Sequence, residues 1–209
     1  MSTFTNVKIK CGLCGHTFNS VSLMSTNAFG SPDLDLRPPE MKRSTMPMWI
    51  KICPNCGYVH SDIENDGERF ADYIKTADYL SCEGHSFESK LSENFYKYAL
   101  ILLKDSCPNE AYNAFLHAAW ACDDACDFDG AVLCREKAIA LGNKELFKDN
   151  PNLILRHIDL LRRAGKFSEA IALCESTEFK DKLMQKIASF QKKLSENNDT
   201  GCYRVEDCK

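Results

Sequence analysis

Two short cysteine motifs constrain this chain more than any other feature of its sequence. The first lies in KIKCGLCG and the second in KICPNCGY, so each has two residues between its cysteines and a glycine after the second. In such a turn the backbone curls until both sulfurs point at one site, and the glycine allows the conformation that closes the turn. Two facing turns offer four thiolates in a tetrahedron, the set that a structural Zn²⁺ prefers. The sequence therefore predicts one structural zinc ion bound by Cys11, Cys14, Cys53 and Cys56.

The residues around the two motifs favour short strands. Apolar or β-prone side chains flank both turns: Val7, Ile9, Phe18, Trp49, Ile50, Ile52, Tyr58 and Val59. Strands entering and leaving such turns are typical of a zinc ribbon. We therefore assign residues 1–62 to a zinc-ribbon-like module with a long insert between the motifs.

Two other interpretations of the cysteines are open. They could be two unrelated buried pairs, or a redox dithiol, although a redox motif normally opens a helix in a βαβ context. A catalytic zinc would need an open coordination position, which four thiolates do not leave. His16 and His60 lie close enough in sequence to replace a cysteine, but we interpret them as surface residues.

Composition narrows the class of protein. The 209 residues carry a formal net charge of −4, too mild to imply a nucleic-acid or membrane partner. The first 60 residues lean basic, with six Lys/Arg against three Asp/Glu. We see neither a membrane-length apolar run nor a signal peptide, so a cytoplasmic location is the default expectation. Twelve cysteines are then not expected to form disulfides, because the cytosol keeps thiols reduced.

The insert contains the alternating segment DLDLR. Four prolines between residues 29 and 50 exclude a long helix, so a short extended piece is expected. Asp33, Asp35 and Arg37 would share one face. That face is either a recognition patch or a solvated strand edge that discourages aggregation.

Helical periodicity begins near residue 64, and we assign residues 63–196 to a helical domain. Phe70, Ile74 and Leu80 lie on the apolar stripe of a first predicted helix, and a second is expected from about Ser92. A last helix over 180–194, with Leu183, Ile187, Phe190 and Leu194 inward, would terminate the stack, and 197–209 would be a frayed tail.

Residues 111–142 resemble a tetratricopeptide repeat. Ala118 and Ala119 suit its close-approach positions, Phe128 would plug the gap between its helices, and Ala131 would open the second helix. Residues 153–177 resemble a second copy, in which AGKFSEAIAL parallels ACDFDGAVLC. The resemblance implies a mainly α fold, in which stacked helix pairs follow the zinc-ribbon-like module.

The remaining cysteines receive no assigned role. Cys122, Cys126 and Cys134 would lie on one helix pair, where a second metal site is conceivable but packing roles are favoured. Cys82 and His85 form half of a zinc motif with no evident second half. Cys107 and Cys174 are interpreted as packing residues, and Cys202 and Cys208 lie in the tail.

Nearly the whole chain resembles a bacterial family of domains of unknown function that join a four-cysteine knuckle pair to tetratricopeptide-like helices. CPNCGY and LHAAW carry most of this resemblance. It implies the fold and the metal site, and it implies no activity.

Function follows less directly. P-loop, nucleophile-elbow, metalloprotease and dinucleotide motifs are missing, so we expect a protein without enzymatic activity. The favoured hypothesis is an adaptor whose helical groove binds a protein or peptide. The alternative is nucleic-acid binding through the ribbon, for which the candidate residues are Lys8, Lys10, Phe18, Lys42, Arg43, Trp49, Lys51 and Tyr58.

Overall fold

A computed structural model of the chain describes residues 1–65, 67–148 and 150–208, and for Lys144 the backbone alone. The fold is mainly helical, with packed helix pairs and a small N-terminal antiparallel sheet, which confirms the predicted fold class. Two antiparallel hairpins come first, and helices follow from residue 77 onward.

Each cysteine motif is the turn of one hairpin. Strand β1 (Thr3–Lys10) pairs with β2 (Thr17–Ser25), and β3 (Lys51–Ile52) pairs with β4 (Val59–His60). Alternation along β1 turns Ile9 into the core and leaves both neighbouring lysines exposed. We refer to these four strands and their turns as the N-terminal hairpins.

Residues 63–89 correct one prediction. Instead of the helix expected from about residue 64, the chain makes successive 3-10 turns and a single short helix, α1 (Ala77–Ser81). Phe70 and Ile74 are buried as predicted, because each 3-10 turn directs one apolar side chain inward. Leu80 is 59% exposed, contrary to its predicted inward position.

The central helices are α2 (Lys90–Lys104), α3 (Pro108–Asp124) and α4 (Phe128–Leu141). Helix α2 begins at Lys90 rather than near Ser92, and Ser89 caps it by accepting a hydrogen bond from the backbone N–H of Leu91. Ala118 and Ala119 are fully buried, in keeping with close approach between helices.

Phe128 does not plug the helix pair. It begins α4 and is 74% exposed, so this prediction is wrong. The large buried side chain on α4 is Arg135, 2% exposed, whose guanidinium donates two hydrogen bonds to the Asp123 carboxylate at the end of α3.

The C-terminal helices are α5 (Lys144–Phe147), α6 (Pro151–Arg163), α7 (Phe167–Ser176) and α8 (Lys182–Glu196). Ala170 on α7 is fully buried. On α8, Ile187 and Leu194 face the core as predicted, whereas Leu183 is 50% exposed because it lies in the first turn, at the end of the stack.

The tail is packed rather than frayed, which corrects another expectation. The backbone N–H of Leu34 donates to the carbonyl of Tyr203, and that of Val205 donates to the carbonyl of Pro32. Cys208 is 6% exposed among the apolar side chains of α6 and α8. The insert and the C-terminus therefore hold each other against the helices.

One hydrophobic core joins the hairpins to α2, α3 and α4. It runs from Ile9 and Tyr58 through Phe70 to Phe95 and Phe115. A second, smaller core lies between α6, α7 and α8 and includes Leu34 from the insert. The buried surface thus continues across the predicted domain boundary at residue 62.

Candidate metal centre

The two hairpin turns bring the four predicted cysteines together. Their sulfurs all lie within 4.8 Å of one another. The Cys11 and Cys56 sulfurs are 3.8 Å apart, and those of Cys14 and Cys53 are 3.6 Å apart. A tetrahedron of sulfurs with Zn–S distances of about 2.3 Å has edges of about 3.8 Å, so the four thiols fit a tetrahedrally coordinated metal.

Both turns are built in the same way. The N–H of Cys11 donates to the carbonyl of His16, and the N–H of Gly15 donates back to Cys11. Cys53 makes the equivalent pair of bonds with Tyr58 and Gly57. The two glycines have φ values of 72° and 73°, a conformation that a side chain would strain. The repeated geometry explains why glycine follows each motif.

Hydrogen bonds to sulfur favour the thiolate state on one side of the cluster. The backbone N–H of Leu13 donates to the Cys11 sulfur at 3.4 Å, and the side-chain amide of Asn55 donates to the Cys14 sulfur at 3.6 Å. Asn55 lies in the second motif, so it ties one turn to the other.

The thiol pKa values are split by this environment. Burial raises the pKa of Cys11 and, more strongly, that of Cys56. Burial opposes ionisation of Cys14 too, but hydrogen bonds from the His16 backbone and from Asn55 lower its pKa to about 6. Four thiolates this close repel one another, so a bound cation is what would allow all four to ionise.

The cluster is buried on one side only. Cys11 and Cys53 are each 1% exposed, Cys56 is half-buried and Cys14 is exposed. Solvent therefore reaches the site past Cys14.

Neither nearby histidine joins the cluster. His16 is exposed and its ring stacks on Phe18. The Nδ1 of His60 accepts a hydrogen bond from the backbone N–H of Asp62. The predicted four-cysteine set is thus brought together without a histidine.

The charged residues Asp33, Asp35 and Arg37 are buried, which overturns both predictions for this segment, and Leu36 is its exposed member. Asp35 is 1% exposed and accepts hydrogen bonds from Trp120 Nε1 at 2.6 Å and from Arg163 at 3.3 Å. Arg37 pairs with Asp124 at the end of α3. The segment is neither a solvated strand edge nor an accessible patch, because its charges bind partners on α3 and α6.

Sequence reasoning missed this network of charges. Asp33 accepts from Arg43, and Arg163 also bonds Asp123. The alternation of acids in DLDLR was the only local signal. Arg43 is ten residues from Asp33, but the partners of Asp35 on α3 and α6 lie far away in the chain.

The other cysteines form no second cluster of metal ligands within the described ranges. Cys122 and Cys134 are buried, as expected for packing residues, whereas Cys126 is exposed, contrary to that expectation. Cys82, for which no packing role was predicted, is also buried. His85 has an acidic partner instead, because its Nε2 lies 3.1 Å from the Asp127 carboxylate.

The candidate nucleic-acid residues do not share one free surface. Tyr58 is 1% exposed, Arg43 pairs with Asp33, and the Lys51 ammonium donates to the carbonyl of Val21. Lys8 and Lys10 remain exposed on β1.

Comparison with known proteins adds no assignment: no family model, curated protein or solved structure matches this chain significantly. In the part of the chain that the structure describes, no helix combines the length and apolar character needed to cross a membrane.

Proposed function

We propose that Cys11, Cys14, Cys53 and Cys56 bind one structural Zn²⁺ and that the protein is a non-enzymatic interaction module built around this metal. The observation that carries the proposal is the convergence of the four sulfurs, whose separations of 3.6 and 3.8 Å match a zinc tetrathiolate. Other thiophilic metals fit the same geometry, and zinc is favoured because it needs no redox chemistry or further ligand.

A structural role follows from the ligand set. Four thiolates complete the tetrahedral coordination of zinc and leave no position for a water or a substrate. The ion would instead fasten two hairpins that are otherwise weak, since β3 and β4 have two residues each.

The N-terminal hairpin β1–β2 supports the interaction role. Phe4 and Val21 lie on the same face of this hairpin and are 48% and 42% exposed. Within the described ranges the sheet has only these two strands, so no third strand pairs with β2 beside that apolar face. The Val21 carbonyl on β2 accepts a hydrogen bond from the Lys51 ammonium. We place the binding site for an extended segment of a protein partner there, because sheet edges accept an added strand.

The helical groove of the original hypothesis is less accessible. The buried insert covers the side of α3 and α6 that carries Trp120 and Arg163. Nucleic-acid binding stays an alternative that rests on the exposed Lys8 and Lys10.

Metal analysis tests the first part of the proposal. We expect one zinc per chain by elemental analysis of protein purified without added metal, and release of that zinc by a thiol-reactive mercurial. Cys53→Ser should abolish stoichiometric zinc, whereas the exposed Cys202→Ser should retain it. A wild-type protein with another metal, or with none, contradicts the proposal.

Partner capture tests the second part. A partner should be retained at one copy per chain by the wild type, and lost on Phe4→Ser/Val21→Ser. The matched control Thr5→Ser/Ser22→Thr changes the same strands without removing apolar surface. Equal capture by both variants would contradict the hairpin site, and salt-dependent binding of oligonucleotides through Lys8 and Lys10 would favour the alternative.

A further inference from the structure

A cleft lies where the insert meets α3 and α6. Its volume is about 390 Å³, and its walls include Pro38, Lys42, Trp49, His117, Trp120 and Arg156. These residues come from three separate parts of the chain, and the metal centre contributes none of them.

Three aromatic rings form a continuous wall of this cleft. The ring centroids of Trp49 and His117 are 5.0 Å apart, and those of His117 and Trp120 are 4.9 Å apart. Trp120 is 3% exposed and the Arg37 guanidinium lies 5.8 Å from its ring centroid, so a planar ligand ring would contact mainly Trp49 and His117, by stacking or edge-on packing.

The two indoles are held in place from behind. Trp49 Nε1 donates to the buried hydroxyl of Thr45 at 2.9 Å, and Trp120 Nε1 donates to the buried Asp35 carboxylate at 2.6 Å. Thr45 in turn donates to the carbonyl of Lys42. The polar atoms of both indoles are therefore used inside the protein, and the wall is preorganised.

Two cations line the same cleft without an acidic partner in the described part of the chain. The Arg156 guanidinium lies 4.9 Å over the ring of buried Tyr112, and its Nε is buried without a hydrogen bond. Lys42 is exposed at the opening. By contrast, the nearby Arg37, Arg43 and Arg163 are all paired with aspartates. Arg156 and Lys42 thus leave a local excess of positive charge.

His117 adds an unused polar group. Neither ring nitrogen makes a hydrogen bond to any residue that the structure describes, although the ring packs against Trp49, Phe95 and Trp120. Burial lowers the pKa of His117 to about 3, so the ring is neutral at neutral pH. A neutral imidazole offers one donor and one acceptor.

We propose that this cleft binds a nucleoside monophosphate, with the base against the aromatic wall and the phosphate between Arg156 and Lys42. A phosphomonoester carries a charge of about −1.5 to −2 at pH 7, so it can balance the charge of two unpaired cations. A carboxylate ligand carries a single negative charge and cannot balance both. Arginine also presents a planar fork that suits phosphate oxygens. The volume lies at the small end of ligand pockets, which suits one nucleotide.

The chain offers a direct readout, because both of its tryptophans line the cleft. Titration of AMP, GMP, CMP and UMP into the full zinc-containing chain should quench tryptophan fluorescence saturably for at least one of them, after correction for nucleotide absorbance. Calorimetry of the same pair should give one site per chain. Adenosine or guanosine without phosphate, and inorganic phosphate alone, should each bind at least about tenfold more weakly.

Variants tie the signal to the cleft. Arg156→Gln and Lys42→Gln should each weaken binding, the former by about tenfold or more. The exposed Arg204→Gln is the matched control and should bind like the wild type. Lys42 is exposed, so its substitution tests the site even if Arg156→Gln fails to fold.

Four outcomes overturn this inference: no saturable binding of any monophosphate, equal binding of nucleoside and monophosphate, equal binding of inorganic phosphate, or full affinity in Lys42→Gln and Arg156→Gln. If a short single-stranded oligonucleotide binds more tightly than the monophosphates, and Arg156→Gln weakens that binding, the cleft still recognises a nucleotide. The natural source of that nucleotide is then a nucleic-acid strand. The inference is independent of zinc. Measuring zinc in every sample separates its failure from that of the proposed metal site.

Discussion

The N-terminal hairpins and the helices α2–α4 share one core, yet different forces hold them. The strands β3 and β4 have two residues each, and a two-stranded hairpin is marginal in water. The helices run for 14 to 17 residues and bury alanines and aromatic rings against one another. The comparison leads us to expect that the hairpins depend more on a bound metal and that the helices depend on packing.

Loss of one cysteine of the candidate metal centre should produce the largest difference in stability between the two regions. Structural zinc binding contributes about 10–16 kcal/mol in small domains, so Cys53→Ser should unfold the hairpins at neutral pH. Most helical circular dichroism should remain. Hydrogen exchange should show lost protection in β1–β4 and retained protection in α3, and Cys202→Ser provides the control. Retained protection in β3 and β4 would mean that packing alone holds them.

Truncation of a core side chain should instead destabilise the helical region. Phe115 on α3 is 1% exposed, and Phe115→Ala should lower the free energy of unfolding by about 3–5 kcal/mol. Phe128→Ala removes the same side chain from a 74% exposed position and should change it by less than about 0.5 kcal/mol. Urea unfolding measures both. Equal losses would restore Phe128 to the plugging role predicted from sequence.

Acid should weaken the helical region through buried neutral histidines. Burial lowers the pKa of His117 to about 3 and that of His157 to about 4. Between those values and the unfolded pKa of about 6.5 the unfolded chain binds more protons, so stability falls as pH falls. At pH 5 each histidine should lower the free energy of unfolding by up to about 2 kcal/mol relative to pH 7.5.

The matched variants separate this effect from acid release of zinc. Urea unfolding of His117→Gln at both pH values should show a smaller difference than the wild type, and the exposed His16→Gln should show the same difference. An unchanged difference in His117→Gln would contradict the contribution of His117 to the acid sensitivity.

The smallest expected effect concerns a helix cap. Asp127 accepts hydrogen bonds from the backbone N–H of Gly130 and of Glu88, so Asp127→Ala should lower stability by about 1–2 kcal/mol. Asp129 is two residues further along the chain and exposed, so Asp129→Ala should lower stability by less than about 0.5 kcal/mol. Thermal unfolding compares the two variants, and equal shifts would show that helix-end charge matters more than the cap.

The fold was predictable where the signal is local. Cysteine spacing with a following glycine specifies a turn, and apolar residues at three- and four-residue spacing specify a helix face. The same periodicity failed over 64–80, because 3-10 turns also bury Phe70 and Ile74. Phe128 was misplaced because a resemblance gives a residue's position along a helix pair, while its burial depends on what packs beside it.

The sequence by itself indicated the four cysteines of the candidate metal centre and the longer helices from residue 90 onward, because the spacing that indicates both is short-range. Only the tertiary structure decided the fate of Asp35 and Arg37, which were expected at the surface and are buried against α3 and α6. It also decided that the C-terminal tail packs beside the insert and that Trp49, His117 and Arg156 share a cleft. The physical reason is that a buried charge needs a partner that is close in space. When that partner is distant in the sequence, the residues around the charge do not indicate it.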